Sequence, residues 1–288
     1  MSKMLKGLGL GLLLWLLFAR ERRPSFPAPQ THPFRLPGRT VFVGDLEMFV
    51  REAGPEDGPP IVLVHGWGDP GLMTFRKMIP SLAQRHRVIV PDLRNFGKTD
   101  VVRTPYEVAD LADDLAGLIE ALDLGPVPVF GYSLGGMVVQ ELVRRHPTVA
   151  SKVVLAGTAA DPMATFGKVG VLAPVVVALS RAGERLTRVL HSERRTDWLV
   201  AEGAVASEYH RWAYFEHANR DPEMHWEAGA AVTRFDSSGW VGSLDTEALV
   251  IINTQDNVVP VDLQYRLATL VRGCRVVEVV ATHAAPLT

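Results

Sequence analysis

The chain of 288 residues contains a single cysteine, Cys274. No disulfide can form within it, so stability must come from a packed core, and neither an exported nor an internal location is excluded on this ground. There is no CxxC pair, no HExxH and no group of histidines at ligand spacing, so no metal site is indicated. A basic excess is also lacking: 30 Lys and Arg against 32 Asp and Glu leave a net charge of -2, which speaks against a nucleic-acid partner. The uncharged run at residues 7–19 (GLGLGLLLWLLFA) is too short to be an ordinary transmembrane helix. At about 1.5 Å per residue it reaches roughly 20 Å, against a hydrocarbon core of roughly 30 Å.

Hydrophobic residues make up 47% of the chain and charged residues 22%, a balance that supports a sizeable core and excludes global disorder. The N-terminus stands apart. Lys3 and Lys6 precede the apolar run, and Arg20, Glu21, Arg22 and Arg23 follow it. Residues 1–23 are therefore expected to be an uncleaved membrane anchor or interfacial helix. A cleaved signal segment is the alternative, although no A-x-A site follows the run; a wrongly assigned start, or a helix covering the domain, is the third reading. The expected location is membrane-associated or exported rather than cytoplasmic. Residues 24–39 carry Pro24, Pro27, Pro29, Pro33 and Pro37, which cannot continue a helix and read as a linker. The globular domain is then expected over 40–288.

Within it, Thr40–Val43 and Leu46–Arg51 flank Gly44-Asp45 as a hairpin. Short apolar runs at Ile61–Val64, Arg87–Val90, Val127–Phe130, Lys152–Ala156, Leu249–Ile252 and Arg275–Val280 read as buried strands. Helical spacing covers Leu72–Arg85, Tyr106–Leu122 and Met137–His146, the second starting at Thr104-Pro105 and stopping at Gly125. Strands alternating with helices predict an α/β fold, a mostly parallel sheet flanked by helices. The alternation lapses over about 161–243, a mostly helical stretch holding Trp198, Trp212, Trp226 and Trp240. An insertion of that length is expected to form a small helical cap.

Gly131-Tyr132-Ser133-Leu134-Gly135 fits G-x-S-x-G. An apolar run precedes it and a helix follows, so Ser133 would sit on a strained strand-to-helix turn with its oxygen projecting outward. Small residues at 131 and 135 let strand and helix approach. A serine hydroxyl needs a base, and the base needs an orienting acid. In such an arrangement the chain order is Ser, acid, His. His146, His191, His210, His217 and His225 lie between Ser133 and the last strand, the first at the end of the following helix and the others in the insertion. His283 directly follows the last strand and is the candidate base. Asp256, after Leu249–Ile252, is the candidate acid, with Asp161, after Lys152–Ala156, as its rival. The backbone N–H of Leu134 and of Trp67 are the candidate oxyanion donors. His65 reads as a structural residue of the Trp67 loop.

Together, HGWG at 65–68, PDLRNFGKTD at 91–100, GYSLGG at 131–136, NTQDNVVP at 253–260 and THAAP at 282–286 resemble the α/β-hydrolase superfamily, in its cap-bearing branch of esterases, lipases, C–C bond hydrolases and cofactor-free haloperoxidases. The resemblance covers about residues 40–288 and is weak in the insertion. It implies an α/β-hydrolase fold and a serine hydrolase cleaving a carboxylic ester or related acyl bond of a small, hydrophobic substrate, with no cofactor. The alternatives are a C–C bond hydrolase or cofactor-free haloperoxidase with the same triad, or a non-catalytic binding member of the fold. A serine nucleophile argues against epoxide hydrolase and haloalkane dehalogenase chemistry. Two departures stand out. Asn95 replaces a glycine after Asp92 and Arg94, and Thr282 stands where the family commonly has glycine. The family also usually continues past the histidine into a packing helix, beyond the five residues this chain has there.

Overall fold

The computed structural model describes residues 36–164, 192–218 and 220–287, with a few single positions between 175 and 183. The segment 1–23, most of the linker and part of the insertion lie outside the described residues.

Eight strands form one sheet: β1 (Gly38–Val43), β2 (Leu46–Ala53), β3 (Pro60–Val64), β4 (Arg87–Pro91), β5 (Val127–Tyr132), β6 (Ala150–Ala156), β7 (Glu247–Asn253) and β8 (Arg275–Val279). Their order is β1-β2-β4-β3-β5-β6-β7-β8. Only the pairs made by β2 are antiparallel; the rest run parallel. The two-residue period of a strand divides its side chains between the faces. Val62, Val64 and Val129 join one apolar cluster with Leu111, Leu115, Leu118, Met137, Val138 and Leu142 of α3 (Val108–Ala121) and α4 (Leu134–Arg145). Leu63 and Phe130 join the opposite one with Leu72, Phe75 and Ile79 of α1 (Gly71–Phe75) and α2 (Ile79–Leu82).

Two helix expectations are corrected. Leu72–Arg85 is not one helix but α1 and α2, because Pro80 falls in the first turn of α2, where its missing N–H is harmless but could not serve a helix interior. The helix expected from Tyr106 begins two residues later. Glu107 caps α3 through a reciprocal box with Asp110, and Tyr106 is buried in the core instead.

The PDLRNFGKTD segment is scaffolding. Buried Asp92 accepts from Arg51 at 3.0 Å and from the N–H of Gly71 at 2.9 Å and Lys98 at 3.2 Å. Arg94 grips Asp114 bidentately at 2.5 Å. Asn95 adopts φ 67°, which explains why a left-handed position that favours glycine accepts Asn here.

Between β6 and β7 the chain leaves the sheet. Residues 192–201 are helical, followed by α5 (His210–Ala218) and α6 (Pro222–Arg234). The described residues of this stretch contain no strand. The last helix, α7 (Val261–Leu270), returns between β7 and β8.

Candidate active site

Strand β5 ends at Tyr132 and α4 begins at Leu134, so the chain turns on Ser133 alone. The turn forces φ 54°, ψ -120° on that residue, a sparsely populated region that costs on the order of 1–3 kcal/mol and persists only where its surroundings hold it. Those surroundings have no slack. A Cβ on Gly135 would lie 2.1 Å from the Val64 carbonyl oxygen, and one on Gly131 would lie 2.4 Å from that of Gly135. Glycine at these two positions therefore lets β3, β5 and α4 meet tightly enough to hold the strained serine.

His283 comes from the segment after β8, and Asp256 from the turn after β7. The structure brings both to Ser133. The serine hydroxyl faces His283 Nε2 at 3.1 Å, and His283 Nδ1 faces Asp256 Oδ2 at 2.8 Å. A carboxylate can only accept, so the Nδ1 atom carries the proton and Nε2 is left to accept from the serine. Asp256 and His283 are both buried. Oδ1 of Asp256 takes the N–H groups of Val258 and Val259, each at 2.9 Å, and Oδ2 takes Nε2 of Gln264 at 3.0 Å. Burial alone would raise this carboxyl's pKa; the hydrogen bond and charge of His283, with the two backbone donors, bring it below the ordinary value. Asp161, the rival acid, accepts from the N–H of Met163 at 2.9 Å in its own turn, while the imidazole is engaged by Asp256.

Leu134 is the first residue of α4, so its N–H is a first-turn donor with no intrahelical acceptor. Trp67 lies in the loop after β3. A Cβ on the preceding Gly66 would sit 3.1 Å from the Ser133 Cβ, which places the Gly66–Trp67 peptide against the serine. His65 is fully buried. Its Nε2 accepts from the N–H of Leu93 at 3.0 Å, leaving Nδ1–H to donate to the Gly66 carbonyl at 2.8 Å. Burial pushes its pKa down, against the pull of Asp92. It is a neutral pin for this loop.

The serine opens into a cavity of about 290 Å³ whose wall includes Trp67, Tyr132, Arg195, His217, Trp226 and Val258. Several contacts between the cap and the loop after β3 lie at its wall, none of which the sequence pattern singled out. The Trp67 indole N–H donates to the His225 carbonyl at 2.8 Å and the ring stacks on that histidine. Buried Asp69, in the loop after β3, forms an ion pair with half-buried Arg195, and His217 Nε2 lies 3.3 Å from its other oxygen. Burial would raise the Asp69 pKa, but Arg195 and His217 bring it below the ordinary value. Burial pushes His217 down to about 4, outweighing the attraction of Asp69.

His217 is therefore neutral when folded and takes up a proton only on unfolding or in strong acid. Between its ordinary value of 6.5 and about 4, the unfolded chain binds more protons, so stability falls as pH falls. The loss should reach roughly 3 kcal/mol at the acid end of that window, at about 1.4 kcal/mol per pKa unit. Melting curves from pH 7 to 4 should show this slope, and His217→Gln should flatten it; an equal slope in the variant would remove His217 as its cause.

The model of the α/β-hydrolase fold family matches residues 59–287. The chain belongs to that family. This α/β hydrolase is 31% identical over 241 residues to the magnesium-chelatase 30 kDa subunit of Rhodobacter capsulatus, covering 81% of this chain and 83% of that one. It is 27% identical over 248 residues to 2-hydroxy-6-oxo-2,4-heptadienoate hydrolase of Pseudomonas putida, covering 81% and 84%. Among solved structures it resembles a thermophilic esterase from Thermogutta terrifontis, with a TM-score of 0.72, 23% identity, and coverage of 88% of this chain and 93% of that one.

Proposed function

We propose that this α/β hydrolase cleaves a carboxylic ester or a related acyl bond through an acyl-Ser133 intermediate. The observation that carries the reading is the hydrogen-bonded chain from Ser133 through His283 to Asp256 at the floor of the cavity. As Ser133 Oγ attacks the substrate carbonyl, its proton passes to His283 Nε2, and Asp256 stabilises the imidazolium that forms. The negative charge on the former carbonyl oxygen is met by the N–H groups of Leu134 and Trp67, each worth roughly 3 kcal/mol of barrier. His283 then gives its proton to the leaving alkoxide, releasing an alcohol and leaving the acyl group on Ser133. Water, deprotonated by the same imidazole, attacks the acyl carbonyl, and the proton returned to Ser133 Oγ frees the acid. No step calls for a cofactor. Indole, phenol and valine side chains in the cavity wall suit a small, hydrophobic acyl group.

A C–C bond hydrolase with the same residues is the second reading, favoured by the similarity to the Pseudomonas putida hydrolase. Both readings need a reactive Ser133, whereas a non-catalytic binding protein does not. A fluorophosphonate should attach covalently to Ser133, located by peptide mass. An unmodified serine in folded protein would sink both enzymatic readings. Hydrolysis of simple acyl esters by the labelling-competent protein then separates the first from the second.

We also propose that residues 7–19, which lie outside the described residues, hold the enzyme at a membrane, since their apolar run is flanked by basic residues. Among the described residues no helix is long and apolar enough to cross a membrane. The full chain should fractionate with membranes, and a chain starting at Gly38 should be soluble and active. Full-length protein with an intact N-terminus in the soluble fraction would refute the anchor. A mature N-terminus between about residues 20 and 35 would establish the cleaved-signal alternative.

A further inference from the structure

The segment carrying His283 is held by the cap as well as by the sheet. Ala284 and Leu287, on its far side, are fully buried in one apolar cluster with Leu199, Val205 and Trp212 from the insertion. On its near side, the Thr282 hydroxyl donates to Glu202 Oε2 at 2.5 Å, a contact between residues 80 apart in sequence. The Thr282 hydroxyl oxygen itself accepts from the N–H of Ala284 at 3.3 Å, so this side chain bridges the backbone on both sides of His283. The Glu202 turn is itself tied down, because Lys77 Nζ donates to the Gly203 carbonyl at 3.1 Å. The His283 carbonyl is held from beneath by the Tyr132 hydroxyl. A glycine at position 282 could make neither hydroxyl contact.

We infer that Thr282 and Glu202 are positioning residues that couple the docked cap to the orientation of His283, an inference that rests on the reading of His283 as the base. The imidazole must keep Nε2 on the serine and then on the leaving oxygen. A shift of about 1 Å in such a group costs up to on the order of 100-fold in rate. The cap thus takes part in aligning the triad while it lines the cavity, and an enzyme with its cap displaced holds His283 less well.

Thr282→Val keeps the shape of the side chain and removes the hydroxyl. We expect kcat toward an acyl ester to fall about 10- to 100-fold, KM to change by less than about threefold, and fluorophosphonate labelling of Ser133 to slow in parallel. Thr282→Ser should restore the rate. Glu202→Leu should slow the enzyme by no more than Thr282→Val, which also loses the Ala284 contact; Glu202→Gln should retain most activity because its amide oxygen still accepts, and the double variant should be no slower than Thr282→Val alone, since that change already removes the shared contact. Melting temperatures are read beside the rates. A Thr282→Val enzyme that melts lower but labels and turns over at the wild-type rate overturns the inference, as do single effects that multiply in the double variant. If wild-type protein fails to label at Ser133, the serine-hydrolase reading is what fails.

Discussion

Replacing Ser133 by alanine is expected to lower ester turnover by on the order of 10⁶-fold, to the level supported by the oxyanion donors and substrate binding alone, and to abolish fluorophosphonate labelling. The size of the effect follows from the arrangement. In the proposed mechanism His283 and Asp256 serve only to move the proton of this one hydroxyl, so with Oγ removed they have nothing to act on. The fold should survive, because Leu134, Gly135 and Gly136 continue to close the turn and the methyl group occupies space the serine Cβ already fills. Strain at φ 54° is borne by the backbone and is the same for either side chain. Steady-state turnover, circular dichroism and mass-resolved labelling of the same preparation check this. Activity near the wild-type level in folded Ser133→Ala protein would require a different nucleophile.

Asp256→Asn should cost about 10⁴-fold in kcat, the scale set by loss of a triad aspartate through the wrong imidazole tautomer. The local hydrogen bonds say why. An asparagine has one acceptor oxygen where aspartate has two. The N–H groups of Val258 and Val259 hold the Oδ1 side, so the oxygen stays there and the amide nitrogen turns toward Gln264 Nε2 and His283 Nδ1. Two donors, the new amide and Gln264 Nε2, then face each other, and the imidazole answers by moving its own proton to Nε2, where it can no longer accept from Ser133. Asp161→Asn, in a turn of its own, should change kcat by no more than about twofold, the range of substitutions away from buried networks. Comparing kcat for the two variants at a pH where both are folded decides the matter. The opposite ranking would move the acid to Asp161.

Much of the candidate site's geometry was legible because its signals are local. The Gly131–Gly135 pattern carries the clearance that the strained turn needs, and Cβ positions 2.1–2.4 Å from backbone oxygens show how little room there is. Apolar runs of strand length, alternating with helical stripes, specify the parallel sheet. That a carboxylate after one strand and His283 after the last would share a sheet edge with Ser133 follows from a parallel sheet. A histidine in the Trp67 loop read as structural is structural by its two hydrogen bonds.

What periodicity cannot register is a break or a cap set by one side chain. Pro80 divided a helix whose apolar spacing is continuous, and Glu107 with Asp110 outcompeted Thr104-Pro105 as the start of α3. The choice between Asp256 and Asp161 needed the tertiary structure, since both follow strands of the same sheet and only the position of the His283 ring separates them. The cap contacts were beyond the sequence altogether. Asp69 meets Arg195 across 126 positions and Thr282 meets Glu202 across 80, and nothing in the spacing of either pair announces the other partner. The sequence by itself determined where the strained serine turn lies, because backbone clearance at a turn is a property of adjacent residues. Which carboxylate meets the histidine, and which cap residues touch its segment, were decided by tertiary structure alone, because a hydrogen bond depends on distances that chain folding sets.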